Sequence, residues 1–309
     1  MFLLGARDVS ELCALLEVSP SKKKGQNFVT DPGTVRRIAA AAGISPGDTV
    51  VEIGPGLGSL TLALLELGCK VIAIEIDQRL AAALPVTVAQ HGANSADLCV
   101  MTQDALEIAG ESDLEIPAGW AAPHRLVANL PYNVATPLLL HFLEVLPNLE
   151  SALVMVQAEV ADRWVAGVAD DAYGAPSVKL AWWGRTKRAF KVGRNVFYPV
   201  PNVDSTVVEF RRLEVRQRLR EDLKLDLENL TDEAIETLRQ EVFAAVNAAF
   251  SQRRKTLRQS LAGYAGSPDA AAVLLESAGI IPGLRAERLS VTDFTKIAAA
   301  KLYGTNDTK

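Results

Sequence analysis

Thr49-Val50-Val51-Glu52-Ile53-Gly54-Pro55-Gly56-Leu57-Gly58 decides the fold of this chain. Thr49–Ile53 is an apolar, β-branched run with the length of a buried strand. Three glycines follow, and Ser59–Leu67 then reads as a helix closed by Gly68. Strand, glycine loop and helix in this order open a βαβ unit. Lys70–Glu75 (Lys-Val-Ile-Ala-Ile-Glu) supplies the second buried strand and Gln78–Ala89 the second helix.

The alternation extends in both directions. Upstream, Asp31-Pro32 opens a helix through Ile38 to Ala42, and Gly43 stops it. Downstream, Leu98–Thr102, Arg125–Leu130 and Ser151–Gln157 read as strands three to five, with helices over Pro137–Leu146 and Ala158–Val168. Thr186–Lys191 and Thr206–Leu213 are also strand-like. This pattern predicts a mostly parallel sheet covered on both faces. From Glu214 onward the pattern is purely helical, over Glu241–Phe250, Asp269–Ala278 and Thr292–Leu302, with glycine breaks at 263, 266, 279 and 283. The expected division is a helical lead over residues 1–21 ended by Pro20, an α/β domain over 22–213, and a small α-helical domain over 214–309.

The 309 residues are 49% hydrophobic and 22% charged, enough for one large core and a smaller second one. No run is long enough to span a membrane. Asp8 and Glu11 interrupt the apolar start, so no signal peptide and a cytoplasmic location are expected. The three cysteines, Cys13, Cys69 and Cys99, form no CxxC pair and read as reduced thiols, with Cys69 and Cys99 as buried small hydrophobes. His91, His124 and His141 lack metal-ligand spacing; no metal, no membrane and a monomer are expected.

The glycine loop implies a ligand. Its backbone can approach one closely, and the helix start favours a negative group. The spacing is G-x-G-x-G rather than the G-x-G-x-x-G of dinucleotide binders. Glu52, directly before the loop, would repel a pyrophosphate but suits an ammonium. Glu75 ends the second strand, 19 residues after Gly56, where an acid can take both ribose hydroxyls. Asp104 can accept from an adenine amine. Adenine, ribose and an amino acid together describe S-adenosylmethionine. The competing readings are mere turn glycines and a nicotinamide dinucleotide.

Asn129-Leu130-Pro131-Tyr132 leaves the fourth strand at its carboxyl end, where open α/β sheets bind ligands. An Asn oxygen and a neighbouring carbonyl can accept both hydrogens of an exocyclic base amine. That frees a lone pair otherwise delocalised into the ring. Tyr132 can stack on the base, and Pro131 stiffens the turn. The same tetrapeptide also suits a plain strand exit.

Net charge is −5, which argues against a protein coated in positive charge. The cations are nevertheless grouped: Lys22-Lys23-Lys24; Arg185, Lys187, Arg188, Lys191 and Arg194; and Arg253, Arg254, Lys255 and Arg258. Such acid-free groups read either as solvated faces or as a localised phosphate-binding surface.

From about Lys22 to Leu302 the motifs resemble those of the KsgA/RsmA family of small-subunit (16S) ribosomal RNA adenine N6,N6-dimethyltransferases. The resemblance is carried by Gly25-Gln26-Asn27-Phe28, Glu52 to Gly58 and Asn129-Leu130-Pro131-Tyr132-Asn133. It continues in Ala172-Tyr173-Gly174, Phe197-Tyr198-Pro199-Val200-Pro201 through Val203-Asp204-Ser205, Phe250 to Thr256, and Arg285 to Ser290. It implies a Rossmann-like S-adenosylmethionine-dependent methyltransferase sheet with a small C-terminal α-helical domain. It implies that Gln26, Asn27, Val29, Glu52, Gly54, Gly56, Gly58, Glu75, Asp104 and Asn129 line the cofactor site. Asn129, Leu130, Pro131, Tyr132 and Phe197 would form the catalytic set, with Tyr132 and Phe197 clamping the target base. Lys22, Lys23, Arg185, Lys187, Arg188, Arg253, Arg254 and Lys255 would face RNA. The implied substrate is a pair of adjacent adenosines in the 3′-terminal hairpin loop of 16S rRNA within the small subunit, each methylated twice at N6.

Two rivals share parts of this pattern: an antibiotic-resistance methylase acting on large-subunit rRNA, and a binding-only assembly factor on the same fold. Gln252-Arg253-Arg254-Lys255 and the end motif favour the small-subunit enzymes, and intact Glu75, Asp104, Asn129 and Tyr132 favour retained chemistry. The chain departs from the family at Lys24, where an aromatic or aliphatic residue is usual, and matches it loosely over the lead and residues 216–240.

Overall fold

A computed structural model describes residues 2–18, 27–131, 134–223 and 231–304. The chain divides into two units, Met1–Ala161 with Thr186–Arg212, and Asp162–Arg185 with Leu213–Lys309.

The first unit carries α1 (Ala6–Leu15), β1 (Phe28–Val29), α2 (Pro32–Ala41), β2 (Thr49–Ile53), α3 (Ser59–Glu66), β3 (Lys70–Glu75), α4 (Gln78–Gln90), β4 (Leu98–Thr102), β5 (Arg125–Asn129), α5 (Ala135–Val145) and β6 (Ser151–Gln157). The chain then runs through α6 (Ala158–Val165) to α7 (Ala175–Trp183) in the second unit. It returns as β7 (Gly184–Val192), β8 (Phe197–Tyr198) and β9 (Ser205–Arg212).

Seven strands form one sheet in the order β4-β3-β2-β5-β6-β9-β7, and β1 pairs with β8 separately. β2 lies parallel to β3 and β5, with Val50 opposite Val71 and Ile53 opposite Ile74. β9 runs antiparallel to β6. All five residues of β2 are buried, which is why its sequence shows no alternation: helices cover both faces of a parallel sheet. After β3 and β4 on one side of β2, the chain crosses to β5 on the other. The carboxyl ends of β2 and β5 thus flank a topological switch point, where α/β sheets open a ligand crevice.

The lead differs from expectation. Leu3, Leu4, Val9, Cys13 and Val18 bury into the same core as Val35, Val50 and Leu62. Residues 2–18 are therefore part of the sheet unit rather than a separate segment, because α1 presents one apolar face to that core.

The second unit continues with α8 (Val215–Leu223), α9 (Asp232–Ser251), α10 (Leu257–Ser260), α11 (Ala262–Ala265), α12 (Pro268–Ser277) and α13 (Val291–Tyr303). α9 buries Leu238, Val242, Ala245, Val246 and Ala249, a helical stripe. Thr231, Ser267 and Ser290 cap α9, α12 and α13 by accepting from main-chain N–H groups. The sequence reading placed residues 162–185 in the α/β domain; they group instead with these helices. Tyr173, Val178 and Trp182 bury among Leu238, Val242 and Phe294, and the Tyr173 hydroxyl donates to the Leu289 carbonyl at 2.9 Å.

Among the described residues, no helix is long and apolar enough to cross a membrane, and no cluster of His, Cys, Asp and Glu is placed to hold a metal. His91 and His141 engage the carbonyls of Phe2 and Ile108. Cys13 and Cys69 are buried, whereas Cys99, expected buried, is only half so and donates to the Glu115 carbonyl.

Candidate active site

A cavity of about 840 Å³ lies at the carboxyl ends of β2, β3 and β5, lined also by the loop after β4 and by residues 27–29. Its size is that of a small-molecule site.

The glycine loop forms one wall. Gly54, Gly56 and Gly58 all have positive φ, at 67°, 58° and 94°, a backbone state that side chains rarely adopt. Gly54 and Gly56 line the cavity, but Gly58 does not. A Cβ on Gly58 would sit 2.7 Å from Leu84 Cδ1. Gly58, expected at the ligand, instead lets α3 pack closely against α4. A Cβ on Gly56 would sit 2.8 Å from Phe28 Cε1, so Gly56 allows the 27–29 segment to close over the loop.

Glu75 ties β3 to this loop. One carboxylate oxygen accepts from Gly56 N at 3.0 Å and the other from Asp77 N at 2.9 Å. A carboxylate accepts about four hydrogen bonds, so capacity remains for a ligand hydroxyl. Burial raises the Glu75 pKa, opposed by the main-chain N–H groups of Asp77 and Gly56. Asp104 lines the cavity and caps the turn at Ala105–Glu107 by accepting from Leu106 N at 3.0 Å.

Glu52 lines the cavity but is 1% exposed, and one oxygen accepts from Thr61 Oγ1 at 2.6 Å. Burial pushes its pKa up to about 8, with the Thr61 hydroxyl opposing and nearby Glu75 adding to the rise. At neutral pH Glu52 is therefore a protonated acid rather than the ready carboxylate its position suggested. An ammonium placed beside it would favour ionisation.

Among the lining residues that escaped the sequence reading are Ile76 and Leu106. Ile76 is 66% exposed and Leu106 41% exposed, although both are large and apolar. Each follows a cavity carboxylate closely, Glu75 and Asp104 respectively. That adjacency was the available signal: an apolar side chain left in the open beside a polar anchor suits one face of a flat ring.

Asn129 ends β5 at the cavity rim. Its Nδ2 donates to the Asn27 carbonyl at 3.1 Å. That acceptor fixes the amide's orientation and leaves Oδ1 as the acceptor for a ligand. Asn27 and Val29 both line the cavity. The 27–30 segment is itself held from two sides: Ser59 Oγ donates to the Val29 carbonyl at 2.7 Å, and Thr30 donates from N and Oγ1 to the Val196 carbonyl. Leu130 is buried, its N–H donating to the Met155 carbonyl at 3.1 Å, and Pro131 lines the rim. Gln26, Lys22, Lys23 and Tyr132 lie outside the described residues.

Phe197 does not present a jaw to the cavity. It is 3% exposed and sits in the main core, opposite Val29 in the β1–β8 pair. Alternation along β8 turns Tyr198 outward instead, at 43% exposure. Phe197 thus packs behind the 27–29 segment.

The cations divide similarly. In the sheet unit, Lys187 pairs with Glu209 at 2.9 Å, and Arg188 is exposed on β7. In the helical unit, Arg185, Arg254 and Lys255 are exposed, while Arg253 donates to the carbonyls of Asp171 and Tyr173 and braces that turn. Arg258 pairs with Asp269.

The family model described as "Ribosomal RNA adenine dimethylase" matches residues 19–301. Proteins called "Ribosomal RNA small subunit methyltransferase A" are similar over nearly the whole chain. That of Leifsonia xyli subsp. xyli is 50% identical, covering 96% of this chain and 98% of its own; that of Thermobifida fusca is 52% identical, covering 96% and 95%. Among solved structures, a dimethyladenosine transferase from Plasmodium falciparum matches with a TM-score of 0.66 and 25% identity, over 87% of this chain and 95% of its own. The 23S rRNA methyltransferase ErmE matches with a TM-score of 0.58 and 25% identity, over 88% and 98%.

Proposed function

The chain belongs to the ribosomal RNA adenine dimethylase family, and from that premise we propose that it methylates N6 of two adjacent adenosines in the 3′-terminal hairpin loop of small-subunit (16S) rRNA, giving dimethyladenosines. The observation that carries the reading is the Asn129 amide, held by the Asn27 carbonyl at the rim of a cavity with Glu75 and Asp104. Relatives about 50% identical bear the small-subunit name, which favours that substrate over large-subunit rRNA.

The residues present fit S-adenosylmethionine, which when bound supplies an electrophilic methyl group on a sulfonium. Glu75 takes the ribose hydroxyls and Asp104 the adenine amine. Ile76 and Leu106 offer their exposed apolar surface to the ring. Glu52 takes the ammonium, and Asn27, Val29, Gly54 and Gly56 close around the remainder. The apolar slot supports this fit without any reference to sequence motifs.

Asn129 Oδ1 and the Leu130 carbonyl accept the two hydrogens of the target amine and free its lone pair. Tyr132 stacks on the base. The motif contains no Asp, His or Lys, so the surplus proton passes to water after attack. Catalysis is then mainly positioning, which can lower a barrier by about 7–11 kcal/mol at most. The substrate's target lies in a loop, where unstacking a base is easier than in a duplex. Exposed cations such as Arg188 in one unit and Arg254 and Lys255 in the other contact rRNA phosphates within the small subunit.

The test is to incubate the protein and labelled cofactor with unmethylated small subunits and, separately, with large-subunit rRNA, then map the label. Label on two adjacent small-subunit adenosines is expected. Label on large-subunit rRNA, or none on either, overturns the proposal.

A further inference from the structure

Adjacent arginines on α2 have opposite fates. Arg36 gives both Nε and Nη2 to Glu66, at 2.7 and 2.9 Å, and its charge is neutralised in place. Arg37 has no acidic partner among the described residues. Its guanidinium instead lies 3.9 Å from the centre of the Phe190 ring, on the edge strand β7.

We propose that Arg37, stacked on Phe190, is a phosphate-binding contact for the backbone of the rRNA substrate. The inference rests on the function proposed above. An aromatic ring under a guanidinium fixes its plane yet leaves its N–H edges uncommitted and its charge whole. A planar fork held ready in this way suits a phosphate. An isolated surface cation pays more side-chain entropy to reach the same geometry.

The surroundings have the matching sign. Thr186–Arg194 contains four cations and no acid in a chain of net charge −5, with Lys187 paired to Glu209. Arg188, two residues from Phe190, lies on the same face of β7, and Arg194 is exposed just beyond the strand. The surface also adjoins the active site. Val196, just past Arg194, accepts from Thr30 at the end of the segment whose Asn27 orients Asn129. Edge strands often carry cations simply to prevent pairing with another sheet. That role needs no stacked, unneutralised arginine from a neighbouring helix.

The test measures binding of an RNA hairpin with the small-subunit 3′-terminal sequence, across a salt series, by the whole protein and its variants. Arg37→Ala should weaken binding about tenfold at low salt and reduce the slope of log affinity against log salt by about 0.9. Phe190→Leu keeps the charge and an apolar contact but removes the platform. It should weaken binding while leaving the slope unchanged. Arg36→Ala, whose head group is already neutralised, should leave the slope unchanged too. Wild-type affinity and slope in Arg37→Ala overturn this inference alone. Absence of RNA binding by the wild-type chain overturns both this inference and the function it rests on.

Discussion

The Asn129 amide donates to the Asn27 carbonyl across 102 residues of sequence. Under the proposed function, this single contact leaves Oδ1 to face the target amine. Asn129→Ala should lower methyl transfer by roughly 10²–10³, since positioning supplies most of the catalysis. Cofactor affinity should change far less. Asn129→Asp is the sharper variant. It sets a carboxylate oxygen against the Asn27 carbonyl, where two acceptors repel, so it should also fail although it keeps an acceptor for the amine. Single-turnover rates check both. Normal turnover in Asn129→Asp would remove the orientation argument.

If Glu52 takes the cofactor ammonium as proposed, cofactor binding is coupled to pH. With a pKa near 8 it carries its proton at pH 7. Accepting an ammonium would then release up to one proton. Calorimetry of S-adenosylmethionine binding in buffers of different ionisation enthalpy should show this release at pH 7, and Glu52→Gln should abolish it. The same shift affects stability. Because the folded pKa lies above the unfolded value of 4.5, the folded state holds the proton more tightly. Its stabilising effect is full below pH 4.5 and is lost as pH rises towards 8. The stability of Glu52→Gln should therefore rise relative to wild type between pH 5 and pH 9, by on the order of 3–5 kcal/mol.

Gly56 and Gly58 should separate function from packing. Gly58→Ala places a methyl group 2.7 Å from buried Leu84 and forces a strained φ. It should destabilise the protein by about 1–3 kcal/mol, while the molecules that remain folded bind cofactor almost normally. Gly56→Ala drives into the Phe28 ring, 2.8 Å away, and pushes the 27–29 segment off the loop. Its main effect should be on cofactor affinity. Thermal melts with and without S-adenosylmethionine distinguish the two.

What the sequence made legible was local. β2, the glycine loop, Glu75 and Asp104 could be read because strand, turn and helix follow one another without a break. The role of Gly58 could not, because it depends on Leu84 from another helix. Phe197 was misread for a related reason. In a strand of only two residues, alternation offers too short a pattern to say which aromatic turns inward. Residues 162–185 lie between sheet elements in sequence, and only their burial with Leu238 and Phe294 assigns them to the helical unit. The Asn27 contact joins distant segments through a main-chain carbonyl, which no side-chain motif records.

Ile76 and Leu106 offer the last prediction, and it tests the cofactor slot without disturbing the core. Truncating a buried aliphatic residue destabilises by leaving a cavity. Ile76 is 66% exposed, so Ile76→Ala leaves none, and its melting temperature should stay close to wild type. If its surface covers the adenine ring, the lost burial is worth roughly 1–2 kcal/mol, or about a fivefold to thirtyfold loss of cofactor affinity. Leu106→Ala should behave alike, with a smaller loss because less of its surface is open. Affinity for methionine alone, which lacks the ring, should be unchanged in both variants. Equal losses for methionine and for S-adenosylmethionine would mean that these side chains shape the cavity as a whole instead of gripping the base.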